Sequence, residues 1–355
     1  MNANKVKVLI IDDSALIRAL LTEIINTDDR LEVCGVAVDP YEARELIKKL
    51  NPDVLTLDIE MPKMSGISFL KNLMRLRPMP VVMISTLTQQ GAPETLQALE
   101  LGAVDFVPKP KNKDAAALGE YAKEICVKIR AAARANVARY SQQPTEPEPP
   151  STVDLPSNHR PGYLCAIGAS TGGTEAIRKV VQRLPANFPA VVVTQHIPAT
   201  FSASFADRVD AASAMKVWEA KDGQAIQAGN VYIAPGDSHL VVSKRGGNFY
   251  CSLSKAPPIN RHRPSVDPMF DSVTKVCGGN ATGVILTGMG ADGSQALMRM
   301  REAGATTIVQ SEASSVVWGM PRVAYEIGAA EKVLDLEKIA DAIVKDFCGS
   351  VANKR

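Results

Sequence analysis

No two cysteines in this chain stand at C-x-x-C spacing, and no apolar run approaches the length of a membrane span. The six cysteines (Cys34, Cys126, Cys165, Cys251, Cys277, Cys348) are scattered, several of them within apolar runs. That pattern argues for buried thiols in a reducing cytosol, not for disulfides or zinc ligands. Charge of one sign is also nearly missing. A net charge of +2 gives no reason to expect nucleic acid or an anionic membrane surface as partner. The N-terminus passes from Asn4-Lys5 straight into a short apolar run and then acids, so it does not read as a signal peptide, and a cytoplasmic location is expected. What remains is ordinary globular material: 355 residues, 46% hydrophobic and 22% charged, enough for two domains or slightly more.

The most informative stretch is Ala166-Ile167-Gly168-Ala169-Ser170-Thr171-Gly172-Gly173. An apolar run from Tyr163 to Ile167 ends in glycines around one serine, and a helical pattern follows from Thr174. Strand, tight turn and helix can hold a serine up at a sheet edge. Gly168-Ala169-Ser170-Thr171-Gly172 fits G-x-S-x-G. A glycine-rich turn that binds phosphate, or nothing, is the competing reading. A Walker A loop is excluded, since Thr174 stands where its lysine belongs.

From Val6 to about Arg139, strand-like runs (Val6–Ile11, Leu31–Ala37, Val54–Leu57, Val81–Ile84, Asp105–Val107) alternate with helical ones such as Ala15–Ile25 and Pro40–Leu50. The β-then-α order predicts an α/β domain with a doubly wound parallel sheet, whose ligands gather at the carboxyl ends of its strands. Asp12 and Asp13 close the first run, Asp58 the third, Ser85 and Thr86 the fourth, and Lys109 follows the fifth. Carboxylates converging in one crevice need a cation, and oxygen ligands with room for water suit Mg²⁺. The lysine and hydroxyl could then hold an added phosphoryl group.

Val8-Leu9-Ile10-Ile11-Asp12-Asp13-Ser14, Leu57-Asp58-Ile59-Glu60-Met61-Pro62, Ile84-Ser85-Thr86 and Phe106-Val107-Pro108-Lys109-Pro110 resemble the response-regulator receiver family. The resemblance implies a flavodoxin-like (βα)5 domain over 1–130, with Asp58 as phosphoryl acceptor. Asp13, Asp58 and Asp12 would hold Mg²⁺, with Ser85, Thr86 and Lys109 as the switch. Phe106 stands where many receivers have tyrosine, which keeps a ring but removes its hydroxyl.

Asp114–Arg139 reads as an alanine- and lysine/arginine-rich helix that dissolves into the proline-rich stretch 141–150. Residues 131–160 are expected to be helix end and extended linker, serving as a spacer or as a docking segment. A second domain is expected over 161–350. It should be α/β with a mostly parallel sheet, its β-rich middle, about Lys216 to Ser254, forming a hairpin insertion.

A nucleophilic serine needs a base. Of the four histidines, His159 is in the linker, His239 opens an apolar run, and His262 lies in the loop Asn260-Arg261-His262-Arg263. Only His196 directly follows a strand candidate (Ala190–Thr194), on the edge expected for Ser170. Asp292, in Gly288-Met289-Gly290-Ala291-Asp292-Gly293, follows another and can orient the base, or cap a helix. The same segment is a G-x-G-x-x-G with Glu312 nineteen positions beyond Gly293, a dinucleotide-binding pattern. Against that, Asp292 would set a negative charge against the pyrophosphate, and the strand comes late in its domain. The Arg261–Arg263 run reads as a solvated or structural loop, or as a surface that meets acidic partners.

Ile167–Ala176, Thr194-Gln195-His196, Tyr232–Asp237, Asn260–Asp267 and Ile285–Gly293 are similar to the chemotaxis protein-glutamate methylesterase family, CheB. That resemblance implies a Ser170, His196, Asp292 triad and the backbone N–H of Met289 as oxyanion donor. It implies hydrolysis of γ-glutamyl methyl esters on the cytoplasmic helices of chemoreceptors, releasing methanol, and deamidation of receptor glutamines. A chemotaxis histidine kinase would be phosphodonor, with Mg²⁺ at the receiver and no cofactor for ester hydrolysis. The unphosphorylated receiver is expected to cover the Ser170 cleft, and the chain to be a monomer. A receiver-controlled scaffold that only binds receptors is the alternative.

Overall fold

The computed structural model describes residues 5–85, 91–109, 115–137 and 162–352. The chain divides between Pro144 and Thr145 into two compact units. The expected linker, 131–160, lies mostly outside the described residues, as does Thr86.

In the first unit, β1 (Val6–Ile11), α1 (Ala15–Asn26), β2 (Leu31–Ala37), α2 (Pro40–Leu50), β3 (Val54–Asp58) and α3 (Gly66–Leu76) are followed by β4 (Val81–Ser85), α4 (Ala92–Glu100), β5 (Asp105–Pro108) and α5 (Ala115–Ala132). β3 and β4 are buried along their whole length, as a parallel sheet covered on both faces requires. The strands pair in parallel in the order β2-β1-β3-β4-β5. The order reverses between β1 and β3, which opens a crevice at their carboxyl ends. Local chemistry sets the helix ends. Asp39 accepts from the N–H groups of Tyr41 and Glu42, Pro40 takes the first helical position, and Asn51 ends α2 in the left-handed region. α5 stops at Ala132, short of the expected Arg139. Its alanines favour continuation, but the chain tightens into i→i−3 bonds at Arg134 and Ala135, and Val137 is buried. Packing overrides propensity there.

The second unit runs β6 (Leu164–Ala169), α6 (Gly173–Val181), β7 (Val191–Gln195), α7 (Ala199–Ala212), β8 (Lys216–Glu219), β9 (Ala225–Ile226), β10 (Asn230–Ile233), β11 (His239–Arg245) and β12 (Asn248–Ser254). It continues with α8 (Val266–Cys277), β13 (Ala281–Ile285), α9 (Ser294–Glu302), β14 (Thr306–Gln310), α10 (Met320–Glu326), β15 (Lys332–Leu334) and α11 (Leu336–Ala352). The β-rich middle is not one insertion. β8 and β10 join the seven-stranded parallel sheet, ordered β15-β14-β13-β6-β7-β10-β8, whereas β9, β11 and β12 form a separate antiparallel sheet. β10 is apolar and buried over Val231–Ile233, which suits a main-sheet strand, while the β11–β12 hairpin turns at exposed Gly246-Gly247. Strand order reverses between β6 and β13, so a crevice opens where β6, β7 and β13 end.

Glycine at Gly168 is what lets α8 lie on β6. A Cβ there would collide with the side chain of Val266, which is fully buried at the start of α8. We expect Gly168→Ala to lower the melting transition of this unit by an amount equivalent to about 1–3 kcal/mol, as overpacking generally does. Calorimetry of the full chain checks this.

Candidate active site

Ser170 follows β6, His196 follows β7, and Asp292 lies on the loop after β13, so the three come together at the crevice. His196 Nδ1 is 3.1 Å from Ser170 Oγ, and His196 Nε2 is 2.7 Å from Asp292 Oδ2. An ionised carboxylate only accepts, so the proton belongs on Nε2. Nδ1 is then free to accept from the serine hydroxyl.

Asp292 is 3% exposed, and its other partners are all donors. Ser265 Oγ and Asn260 Nδ2 donate to Oδ1, each at 2.7 Å, and the Val266 N–H donates to Oδ2 at 2.7 Å. Burial opposes ionisation of Asp292. The hydrogen bond and charge of His196, the Val266 N–H and Asn260 outweigh it and hold the carboxyl well below the usual range.

The serine turn is braced from below. Gln195 Nε2 donates to the Ser170 carbonyl at 2.8 Å, and the Gly173 N–H donates to the same oxygen at 2.7 Å. The left-handed residue of the turn is Gly172, φ 74°, not Ser170, so this turn differs from the strained nucleophile elbow that G-x-S-x-G suggests. The Ser170 N–H is consumed by the Thr287 carbonyl at 3.1 Å and cannot serve an oxyanion. The Met289 N–H has no acceptor among the described residues. Gly288 allows this approach, since a Cβ there would lie 2.8 Å from Ser170 Cβ.

Sequence reasoning passed over several residues here. His262 stacks on His196, ring centroids 3.7 Å apart and planes 12° from parallel. Asn260 and Ser265 brace Asp292; Asn260 and His262 lie in the segment read as a loop, and Ser265 just after it. Only the position of Asn260–Ser265 ahead of a helix hinted at a capping role. His239 proves structural: its buried ring accepts from the Ser265 N–H at 3.1 Å and approaches the Pro257 carbonyl at 3.2 Å. Asp292 faces His196 and the Val266 N–H at the start of α8, so a buried carboxylate stands in the turn that a dinucleotide pyrophosphate would need, and Glu312 is exposed.

In the first unit, ligand oxygens of Asp12, Asp13 and Asp58 lie within 4.8 Å of one another. Lys109 Nζ is 2.8 Å from Asp58 Oδ2 and 3.1 Å from Asp12 Oδ2. Asp12 Oδ2 is buried beside the Lys109 ammonium but without a well-aligned hydrogen bond, which leaves it capacity to bind a cation. Burial pushes the Asp58 carboxyl up to about 6 against the Lys109 hydrogen bond, and the Asp12 charge adds to the rise. Lys109 titrates above its ordinary range despite burial, because Asp58 and Asp12 hold its proton. Hard oxygen donors with an unsatisfied member fit a divalent cation such as Mg²⁺. Ser85 Oγ lies 3.0 Å from Thr95 Oγ1 at the end of β4, and Phe106 is buried in β5.

Comparison with known proteins gives matches for both units. The CheB methylesterase family description matches residues 165–343, and the response regulator receiver domain description matches residues 8–117. The chain is 61% identical over 341 residues to a protein-glutamate methylesterase/protein-glutamine glutaminase of Saccharophagus degradans, covering 96% of this chain and 98% of that one. It is 54% identical over 340 residues to one of Vibrio vulnificus, covering 96% and 97%. Among solved structures, the Thermotoga maritima CheB methylesterase catalytic domain is similar at 39% identity and a TM-score of 0.50, over 51% of this chain and 97% of that one. No helix among the described residues is long and apolar enough to cross a membrane.

Proposed function

Because the chain belongs to the CheB methylesterase family and carries a receiver domain ahead of its catalytic one, we propose that Ser170, His196 and Asp292 hydrolyse glutamate γ-methyl esters on chemoreceptors and deamidate receptor glutamines. The observation that carries this reading is the unbroken hydrogen-bonded line from Ser170 Oγ through both nitrogens of His196 to Asp292. His196 Nδ1 takes the hydroxyl proton as Ser170 attacks the γ-carbonyl. The Met289 N–H holds the oxyanion, in a loop that Gly288 brings against the serine. The imidazolium, steadied by Asp292, then gives its proton to the leaving ester oxygen, so that methanol departs, or in the glutamine reaction to the amide nitrogen, so that ammonia departs. Water activated by the same ring frees the glutamate. Both reactions are acyl transfers at a side-chain γ-carbonyl, so one site serves both.

Control belongs to the receiver. Asp58 accepts the phosphoryl group from a chemotaxis histidine kinase; Asp12, Asp13 and Asp58 would hold Mg²⁺, and Lys109 and Ser85 stand at the same edge to meet the added phosphoryl oxygens. The cation, when bound, neutralises the carboxylates and the transferring phosphate. Without it, burial disfavours the charged form of Asp58. The folded value is above the unfolded one, so this group's stabilising contribution is lost as pH rises from about 4 through about 6. Magnesium should therefore raise the receiver's melting temperature at pH 7, and Asp58→Asn should abolish much of that rise. The functional test is methanol release from methylated receptor fragments, with and without a small phosphodonor. Release should rise with phosphodonor in the wild type and not in Asp58→Asn. Release insensitive to phosphodonor would keep the esterase and discard this control. No release at all would favour a receptor-binding scaffold.

A further inference from the structure

The triad's imidazole is held at its edge by two in-plane hydrogen bonds, which oppose only weakly a rocking of the ring about the line joining its nitrogens. A flat group on its face would oppose that motion, and His262 is there, 3.7 Å away and nearly parallel. The backbone under His262 is built to keep it there. Ile259 and His262 exchange both of their backbone hydrogen bonds, at 3.0 and 2.9 Å, closing a two-residue turn. Both central residues, Asn260 and Arg261, have positive φ, 52° and 68°. Asn tolerates that region. Arg does so at a cost, and such conformations persist where surroundings over-determine them. What over-determines this turn is the site itself: Asn260 Nδ2 bridges Asp292 Oδ1, at 2.7 Å, and Asp267 Oδ2, at 2.6 Å. Arg263 ties the far side of the turn to the Lys255 and Ala256 carbonyls. One turn thus grips the base by its face and the orienting acid by its second oxygen.

We infer that His262 is a positioning residue for ester hydrolysis, keeping the His196 ring in the plane that faces Ser170, on a turn that Asn260 locks to Asp292. This rests on the Ser170 reading above. His262 meets the face of the His196 ring and takes no proton in the proposed reaction, so its loss should act through the alignment of His196. Small misplacements of a reacting group are costly, and we expect His262→Ala in the full-length chain to lower kcat about 10-fold with KM unchanged. The rate of Ser170 labelling by a fluorophosphonate should fall by the same factor. His262→Phe restores a flat face without ring nitrogens and should recover kcat to within about 3-fold of wild type. A matching melting temperature for the two variants separates alignment from unfolding. Wild-type kcat in His262→Ala would overturn the inference. So would a rise in KM alone, which would make His262 a substrate contact, or a His262→Phe variant as slow as His262→Ala. A wild type that neither releases methanol nor labels at Ser170 would fail the underlying assignment, and this one with it.

Discussion

Alanine at Ser170 should cut methanol release from methylated receptor fragments by on the order of 10⁴ or more. The hydroxyl is the nucleophile in the proposed reaction, and nothing in the described site can replace it by a small shift. The Ser170 carbonyl is held by Gln195 and Gly173, and its N–H by Thr287, so the turn survives loss of the hydroxyl. His196 stays bound to Asp292. The loss should therefore fall on kcat and leave KM close to wild type. A residual rate above the uncatalysed one should persist, from the oxyanion donor and from binding. Steady-state methanol assays measure the loss, and mass spectrometry after fluorophosphonate treatment shows whether the adduct disappears with it. Near-normal release by the alanine variant would sink the assignment.

Asp292→Asn should cost about 10³–10⁴ in kcat/KM, for a different reason. Every hydrogen-bond partner of the carboxylate donates: His196 and Val266 to one oxygen, Ser265, Asn260 and, at 3.5 Å, the Asp267 N–H to the other. An amide offers one acceptor and one donor side. With its NH₂ toward His196 it opposes the Val266 N–H and drives the imidazole proton to Nδ1, where it cannot accept from Ser170. With its NH₂ the other way it opposes Asn260. Either way a buried donor loses its partner, which adds a stability loss of about 1–3 kcal/mol. A pH signature accompanies this. The Asp292 carboxyl is depressed in the folded state, so the stability it contributes is present above the unfolded carboxylate value, about 4, and is lost as pH falls through the folded value. Acid should erode the wild-type unit below about pH 4 by an amount the asparagine variant no longer has to lose. Thermal melts of both proteins from neutral pH into acid measure it.

Much of this arrangement could be read from the chain because parallel strands are buried on both faces. They appear as uninterrupted apolar runs, and chemistry-bearing residues stand where those runs stop. Asp12, Asp58, Ser170 and His196 were visible for that reason. The unexpected elements lack that signature. β15 is short, with no fully buried residue, and α10 is only Met320–Glu326. β8 alternates exposed and buried positions, as a hairpin strand would, yet it lies at the edge of the main sheet. The bracing of the site was hidden more deeply. Arg261, His262 and Arg263 look like a solvated charge run, and nothing local says that a positive-φ turn folds one of them onto a histidine distant in the chain. The role of Gly168 is likewise invisible without Val266, which comes from another element.

The serine, its base and its acid are delivered by strands that adjoin in space but are separated by 26 and 96 positions along the chain. Two of those strands, β6 and β13, pair directly only after the segments between them have been threaded. Esterase turnover is thus a late reporter in refolding: intermediates with native helices or a finished β11–β12 hairpin would be silent. Recovery of ester cleavage should lag the recovery of helical circular dichroism, because non-local pairings form after local ones.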